Sequence, residues 1–366
     1  MNEFFDIAVV GSGAAGIAAA VSAARAGAKT LLLDKNSAAG GTGGFSGLTT
    51  LCGLFDDAGK FLNDGFVREF AEAIAETAPL KMSKVWVLLY RPEKFRAVAE
   101  KFFSTTPNLQ TRWNTPLKNV ALENHRIISI NEIKVGAVID CSGTAEVALL
   151  AGADCLTTDE TTQAPAVIFS LQNVSREFTS SAEVAQVLLP LARAGFPPLN
   201  FQASLEPNTL TMKFTGRADQ VFDLIKFLRA NIAGFENCAA SQTKFAATPR
   251  AGRMIVGEYV LTGADVLAAK KFPDAVARCS WPIEQWSADG VVRYQYLPPG
   301  AHYEIPARSL RAAKINNLFM AGKTISADVD AIASARVMSC CLATGATAGN
   351  LAAGQLQFLP RLTDTR

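Results

Sequence analysis

FDIAVVGSGAAGIAAAVSAARAGAKTLLLD, residues 5–34, decides the fold. Phe5–Val10 is a short β-rich run that stops at Gly11. Ile17–Ala26 is alanine-rich and helix-prone, and Gly27 ends it. Thr30–Leu33 is a second apolar strand, closed by Asp34. Strand, glycine turn, helix, strand is one βαβ unit. Its first turn, Gly11-Ser12-Gly13-Ala14-Ala15-Gly16, matches GxGxxG. Gly11 allows the tight turn, Gly13 lets the backbone approach a pyrophosphate, and Gly16 lets helix and strand pack closely. The helix start offers free N–H groups and partial positive charge to phosphates. Asp34 stands 18 residues past Gly16, where a carboxylate accepts ribose hydroxyls. The motif alone does not separate nicotinamide from flavin dinucleotides.

Outward from this unit, a glycine-rich segment covers Gly40–Gly53. Helical patterns follow at Asp64–Glu76 and Glu93–Phe103. Residues 110–134 alternate like a small antiparallel meander turning at Glu123–His125, and Val135–Asp140 reads as a buried strand. The middle third is mixed. Ala166–Leu171 and Thr209–Phe214 read as strands, with amphipathic helices near 217–232. Arg253–Leu261, Asp265–Lys271 and Val291–Leu297 continue the mixed pattern. Leu318–Ala321 is a buried strand ending at Gly322, and one long helix is predicted over Ala331–Leu351. The tail beyond Leu359 reads as loose. No repeat or low-complexity tract interrupts the chain.

Three further segments point to flavin. Gly40-Gly41-Thr42-Gly43-Gly44 follows the second strand, VIDCSG spans 138–143, and LFMAGK spans 318–323 ahead of the last helix. With VIDCSGTAEVALLAGA (138–153), PRAGRMIVGEYVLTGADVL (249–267), FPDAVA (272–277), YEIPARSL (303–310) and residues 317–349, the chain resembles the FAD-dependent oxidoreductases built on the glutathione-reductase type 2 flavin fold. The resemblance spans nearly the whole chain. It implies an α/β protein: a Rossmann-type FAD-binding domain (a parallel sheet plus a small antiparallel meander) with an inserted α+β substrate domain. The FAD domain would be discontinuous, 1–155 and 305–366, and the substrate-binding or cap domain would be 156–304. The expected FAD-lining residues are Gly11, Gly13, Ala14, Ala15, Gly16, Asp34, Lys35, Gly41, Thr42, Gly43, Leu117, Cys141, Ser142, Gly143, Gly322 and Lys323. The sequence departs from the family pattern at Cys141-Ser142, where Ala-Thr is usual, and in the acidic Asp328-Val329-Asp330. FAD binding should survive both.

Flavin performs the redox step, so the protein's task is orientation and electrostatics. Four residues are candidates to converge on the ring. Arg336 offers a guanidinium for a substrate carboxylate or reduced flavin. Arg253, paired with Arg250 across PRAGR, belongs to the inserted segment. His302 titrates near neutrality and precedes a strand returning to the FAD domain. Cys52 follows the glycine-rich segment. Each has a structural alternative: a surface or salt-bridged arginine, pairing of Arg250 or Arg253 with Glu258 or Asp265, a loop histidine after Pro298-Pro299-Gly300, and a buried inert thiol. Cys340 and Cys341 read as packing residues.

Composition narrows the rest. A net charge of +2 with no basic run disfavours nucleic acid and anionic membranes as partners. Seven scattered cysteines without CxxC, and two histidines, disfavour a disulfide relay, an iron–sulfur cluster and a metal site. Residues 7–24 and 337–359 are uncharged, yet the acidic Glu3 and Asp6 suit no signal peptide, and polar residues interrupt the second stretch. A cytoplasmic protein without membrane insertion is expected. No second GxGxxG marks a separate NAD(P)H domain. The leading expectation is oxidation of a small organic, possibly anionic, substrate by hydride transfer to flavin N5, with a separate electron acceptor or O2. An FAD monooxygenase, or a flavoprotein that modifies or matures a partner protein, remains open.

Overall fold

The computed structural model describes residues 3–82, 85–159, 163–176, 178, 181–202, 204–243, 245–287 and 292–357. The tail beyond Leu359 lies outside these residues. The βαβ unit forms as the sequence indicates: β1 (Phe4–Val10), α1 (Ala14–Arg25) and β2 (Thr30–Leu33). The strands Leu109–Arg112, β2, β1 and Ile133–Asp140 lie side by side in parallel, and Leu318–Met320 pairs in parallel with the end of Ile133–Asp140. Their near-continuous apolar runs suit a sheet covered on both faces.

The hairpin Val120–Glu123 and Arg126–Ile130 turns at Asn124 and His125, both in left-handed backbone, and extends the sheet antiparallel from the start of Ile133–Asp140. The meander is therefore shorter than predicted. Residues 110–112 belong to the parallel sheet, because their strand registers against β2 rather than against the hairpin.

The uncharged segments at the two ends of the chain pack on each other. Every residue of α1 except Arg25 is buried. Against it lies the helix Met338–Gln357. A Cβ at Gly345 would sit 2.2 Å from the Ala15 carbonyl oxygen, and one at Gly349 would sit 2.4 Å from that of Ala19. Alanine and glycine let the backbones meet, so these runs are apolar because they are core. Among the described residues no single helix is long and apolar enough to cross a membrane.

The helix predicted over Ala331–Leu351 is two helices, Val329–Ala335 and Met338–Gln357, meeting at 95°. No proline or glycine marks the break at Arg336-Val337. Tertiary contacts hold it. The Arg336 guanidinium bonds out to other segments, and Val337 and Ser339 close over Gly53. The acidic stretch before it is structural. Asp328 caps the first helix at Ala331 and also accepts from Gly263, while Asp330 accepts from Gln285.

Within 156–304, residues 167–238 build an apolar core of their own around a five-stranded sheet that includes Leu199–Gln202, Leu210–Phe214 and Ala166–Gln172. Two helices contribute to it, Gln220–Asn231 and the unpredicted Ser181–Arg193, whose internal Pro190 obscures its pattern. Met254, Leu261, Phe272, Ala277, Cys279, Ile283 and Tyr303 instead join the main core beneath α1.

Candidate active site

A cleft of 340 Å³ opens at the carboxyl ends of the parallel strands, where open α/β sheets bind ligands. One wall is the first turn, Gly11, Gly13, Ala14 and Ala15. Gly16 lies beneath it, where a Cβ would come 1.7 Å from the Gly11 carbonyl oxygen. A Cβ at Gly13 would meet nothing nearer than 4.0 Å, so the space ahead of the α1 N-terminus is free. Such an open cradle fits a pyrophosphate.

Asp34 stands at the end of β2, buried and held in place. Ser12 N and Oγ both donate to its Oδ2 at 2.6 Å, and Asn36 N and Nδ2 both donate to Oδ1 at 2.8 Å. Lys35 also lines the cleft and pairs with Glu146 at 2.7 Å. Gly41, Thr42 and Gly43, in the short helix Gly41–Phe45, join Leu117, Cys141, Ser142, Gly143, Gly322 and Lys323 around the remainder. Ser142 Oγ donates to Asp140 Oδ1 at 2.6 Å, and Asp140 Oδ2 accepts from Val147 N at 2.9 Å. The serine thus ties the strand end to the next helix, and burial raises the Asp140 carboxyl against these bonds. Burial pushes the Cys141 thiol well up, which disfavours its ionised form.

The four candidates for chemistry do not converge. Arg336 alone lines the cleft, carried there by the helix break. Arg253 is exposed on Gly252–Ile255 opposite Thr157, ahead of Met254 and Ile255, which enter the two cores on either side of the strand. His302 sits beside Lys271, whose Nζ donates to its carbonyl. Burial and the cations Lys271 and Arg278 hold its imidazole below the ordinary range. Cys52 lies on the strand Thr50–Cys52 behind the cleft wall, and burial, with Glu284 nearby, pushes its thiol up to about 11.

Of the residues that join Arg336, the sequence reading named neither Lys213 nor Glu284, and it weighed Arg250 only beside Arg253. Lys213, on Leu210–Phe214, and Arg250 both line the cleft. Glu284, on Ile283–Trp286, accepts from Lys213 Nζ at 3.1 Å, from Trp281 Nε1 at 3.0 Å and from Trp286 Nε1. Burial opposes its charge, but Lys213, Arg336 and the two indoles outweigh burial and hold the carboxyl far below its usual range. It is a counter-ion with its acceptors engaged, not a base. Arg336 Nη2 donates to Gln163 Oε1 at 3.1 Å, and Gln163 Nε2 donates to the Glu284 carbonyl at 3.1 Å. Arg250 Nη1 donates to the Ala164 carbonyl at 2.8 Å. The Arg250 and Lys213 charges lie 4.8 and 4.7 Å from the Trp286 ring centroid. Two local signals were available: a lysine inside the apolar strand LTMKF (210–214), and a glutamate between tryptophans in WPIEQW (281–286).

Solved structures share the fold. A geranylgeranyl bacteriochlorophyll reductase-like protein from Thermoplasma acidophilum shares the fold at 14% identity and a TM-score of 0.51, covering 97% of this chain and 79% of that one. GidA from Aquifex aeolicus does so at 14% identity and 0.54, covering 97% and 64%. CabE, an aromatic hydroxylase from angucycline biosynthesis, does so at 10% identity and 0.55, covering 97% and 63%. The chain therefore spans under two thirds of the last two proteins. No curated protein sequence matches it. The family described as FAD dependent oxidoreductase matches residues 6–214 and 192–357. FAD is accordingly the cofactor, and the chain belongs to the FAD dependent oxidoreductase family.

Proposed function

We propose that this flavoenzyme oxidises a small organic substrate held at the Lys213–Arg336 end of the cleft. One observation carries the reading: a single cleft joins the glycine turn to buried and half-buried polar side chains, two of which, Lys213 and Arg250, come from the segment 156–304. We assign the pyrophosphate to the α1 N-terminus, the ribose to Asp34, and the remainder of the cofactor to the wall from Gly41 to Lys323. FAD bound there would supply the acceptor for a hydride equivalent from the substrate. The chain's own residues do the rest. Lys213, Arg250 and Arg336 grip and orient the substrate, and the inserted sheet, through Ala166 and Ile168, narrows the cleft against water.

Anaerobic mixing of the FAD-loaded protein with a panel of small metabolites tests this. Bleaching of the flavin band without added NAD(P)H is expected. A flavin that stays oxidised with every metabolite, but consumes NAD(P)H and O2 together, would replace the reading with monooxygenation. Arg336→Lys keeps the charge and loses the planar fork. It should slow bleaching about tenfold or more, a cost of about 1.4 kcal/mol, with FAD content unchanged.

Asp34→Ala tests the ribose assignment. It is expected to weaken FAD by about 1.5–3 kcal/mol, the range for hydrogen bonds to a charged group, read by titrating apoprotein with FAD. Unchanged affinity would show that Asp34 serves only Ser12 and Asn36.

A further inference from the structure

We infer that the inner end of the cleft is a carboxylate-binding subsite, formed by Arg250, Arg336 and Lys213, and that the substrate carries a carboxylate. The inference rests on the oxidoreductase reading for the word substrate, but the subsite stands on its own geometry. Three cations share one carboxylate, Glu284, so the cluster holds two formal positive charges that no other carboxylate in it offsets among the described residues. Glu284 is already engaged by a lysine and two indoles. Arg250 Nη2 and Arg336 Nε are buried and have no hydrogen-bond partner among the described residues. A buried, unpaired guanidinium N–H is costly, and here two of them belong to residues that face the same cleft.

A carboxylate supplies what is missing. It brings negative charge and two acceptor-only oxygens, one for each free N–H, with Lys213 close enough to share the charge. A neutral amide or alcohol would leave the charge uncompensated. The electrostatics agree. Burial lowers Lys213, Arg336 and Arg250, the last to about 9; the two guanidiniums depress Lys213 further, and Arg336 depresses Arg250 further. An added anion favours the charged form of all three.

The test is calorimetric and spectral titration of the FAD-loaded protein with acetate, malonate and benzoate, their amides, and inorganic phosphate. At least one carboxylate is expected to bind tenfold or more tightly than its amide and to perturb the flavin band. Arg250→Gln is expected to weaken that carboxylate tenfold or more. Should Arg250→Gln fail to fold, the wild-type protein still decides. Arg250 is faced by Arg336, Lys213, Glu284 and Tyr294, and carboxylate affinity should fall as pH rises through about 9. Amides binding as tightly as carboxylates, phosphate binding tighter than every carboxylate, or affinity indifferent to both Arg250 and pH would overturn the subsite. The two readings fail separately. Flavin bleached by a neutral metabolite with no carboxylate bound sinks the subsite alone. Carboxylates bound while no metabolite bleaches the flavin sinks the oxidation alone.

Discussion

Gly13→Val should give a folded protein that purifies without flavin, whereas Gly16→Val should give no folded protein at all. Both positions belong to one glycine motif, but the structure assigns them different tasks. The Gly13 backbone has φ −73°, which any residue adopts, and a Cβ there projects into open space, with Gly41 Cα nearest at 4.0 Å. A Cβ at this position meets no close backbone contact. The isopropyl group would occupy the cradle ahead of α1 where a pyrophosphate must approach the backbone. A loss on the order of 1000-fold in FAD affinity, about 4 kcal/mol, is the expected scale. At Gly16 the obstacle is the Gly11 carbonyl oxygen, 1.7 Å from the Cβ position. Backbone cannot step aside as a side-chain tip can, so β1 and α1 would have to separate. Flavin absorbance per protein, together with a thermal melt, distinguishes the two. A yellow Gly13→Val protein would move the pyrophosphate elsewhere.

The cofactor half of the cleft was legible because its constraints are local. A close approach demands glycine wherever it occurs, and Gly11, Gly13 and Gly16 state three such demands within six residues. Asp34 follows from its place at the end of the second strand, 18 residues past Gly16. The apolar parallel strands announce themselves through continuous burial, as in Thr30–Leu33.

The other half was hidden because long-range contacts make it. Gln163, Lys213, Arg250, Glu284 and Arg336 come from five separate segments, and no local period relates them. Reading PRAGR favoured Arg253 over Arg250, yet Arg253 lies exposed on the strand Gly252–Ile255, while Arg250, ahead of that strand, is buried over Trp286. Arg336 reached the cleft for a reason the sequence did not show. A continuous helix was predicted through it, and tertiary contacts break that helix just there. His302 fails for the opposite reason. A titratable side chain in a suggestive position is worth little when Lys271 and Arg278 surround it.

Glu284→Gln should be the most destabilising substitution near the substrate end, although this residue need never touch substrate. Its carboxylate is the shared counter-ion of Lys213 and Arg336, side-chain exposure 9%. Removing one partner of a buried charged network typically costs about 3–5 kcal/mol, because the cations left behind stay desolvated. Glutamine adds a second fault. Its amide NH2 must face one of the donors, Trp281, Trp286 or Lys213, that now converge on two acceptor oxygens. The pH dependence carries the sign. The folded carboxyl is held far below its unfolded value of about 4.3, so Glu284 stabilises fully above that value. Its contribution is lost as pH falls below it. Wild-type protein should therefore lose stability steeply on acidification below about pH 4.3, and Glu284→Gln should lose less over the same range, having less to lose. A Lys213→Met, Glu284→Leu double variant should recover part of the loss, since it removes a cation together with its partner. Chemical denaturation of the three proteins at neutral and acid pH measures all of this. A Glu284→Gln protein within about 0.5 kcal/mol of wild type, the scale of an ordinary surface substitution, would mean that the cluster finds its balancing charge somewhere other than Glu284.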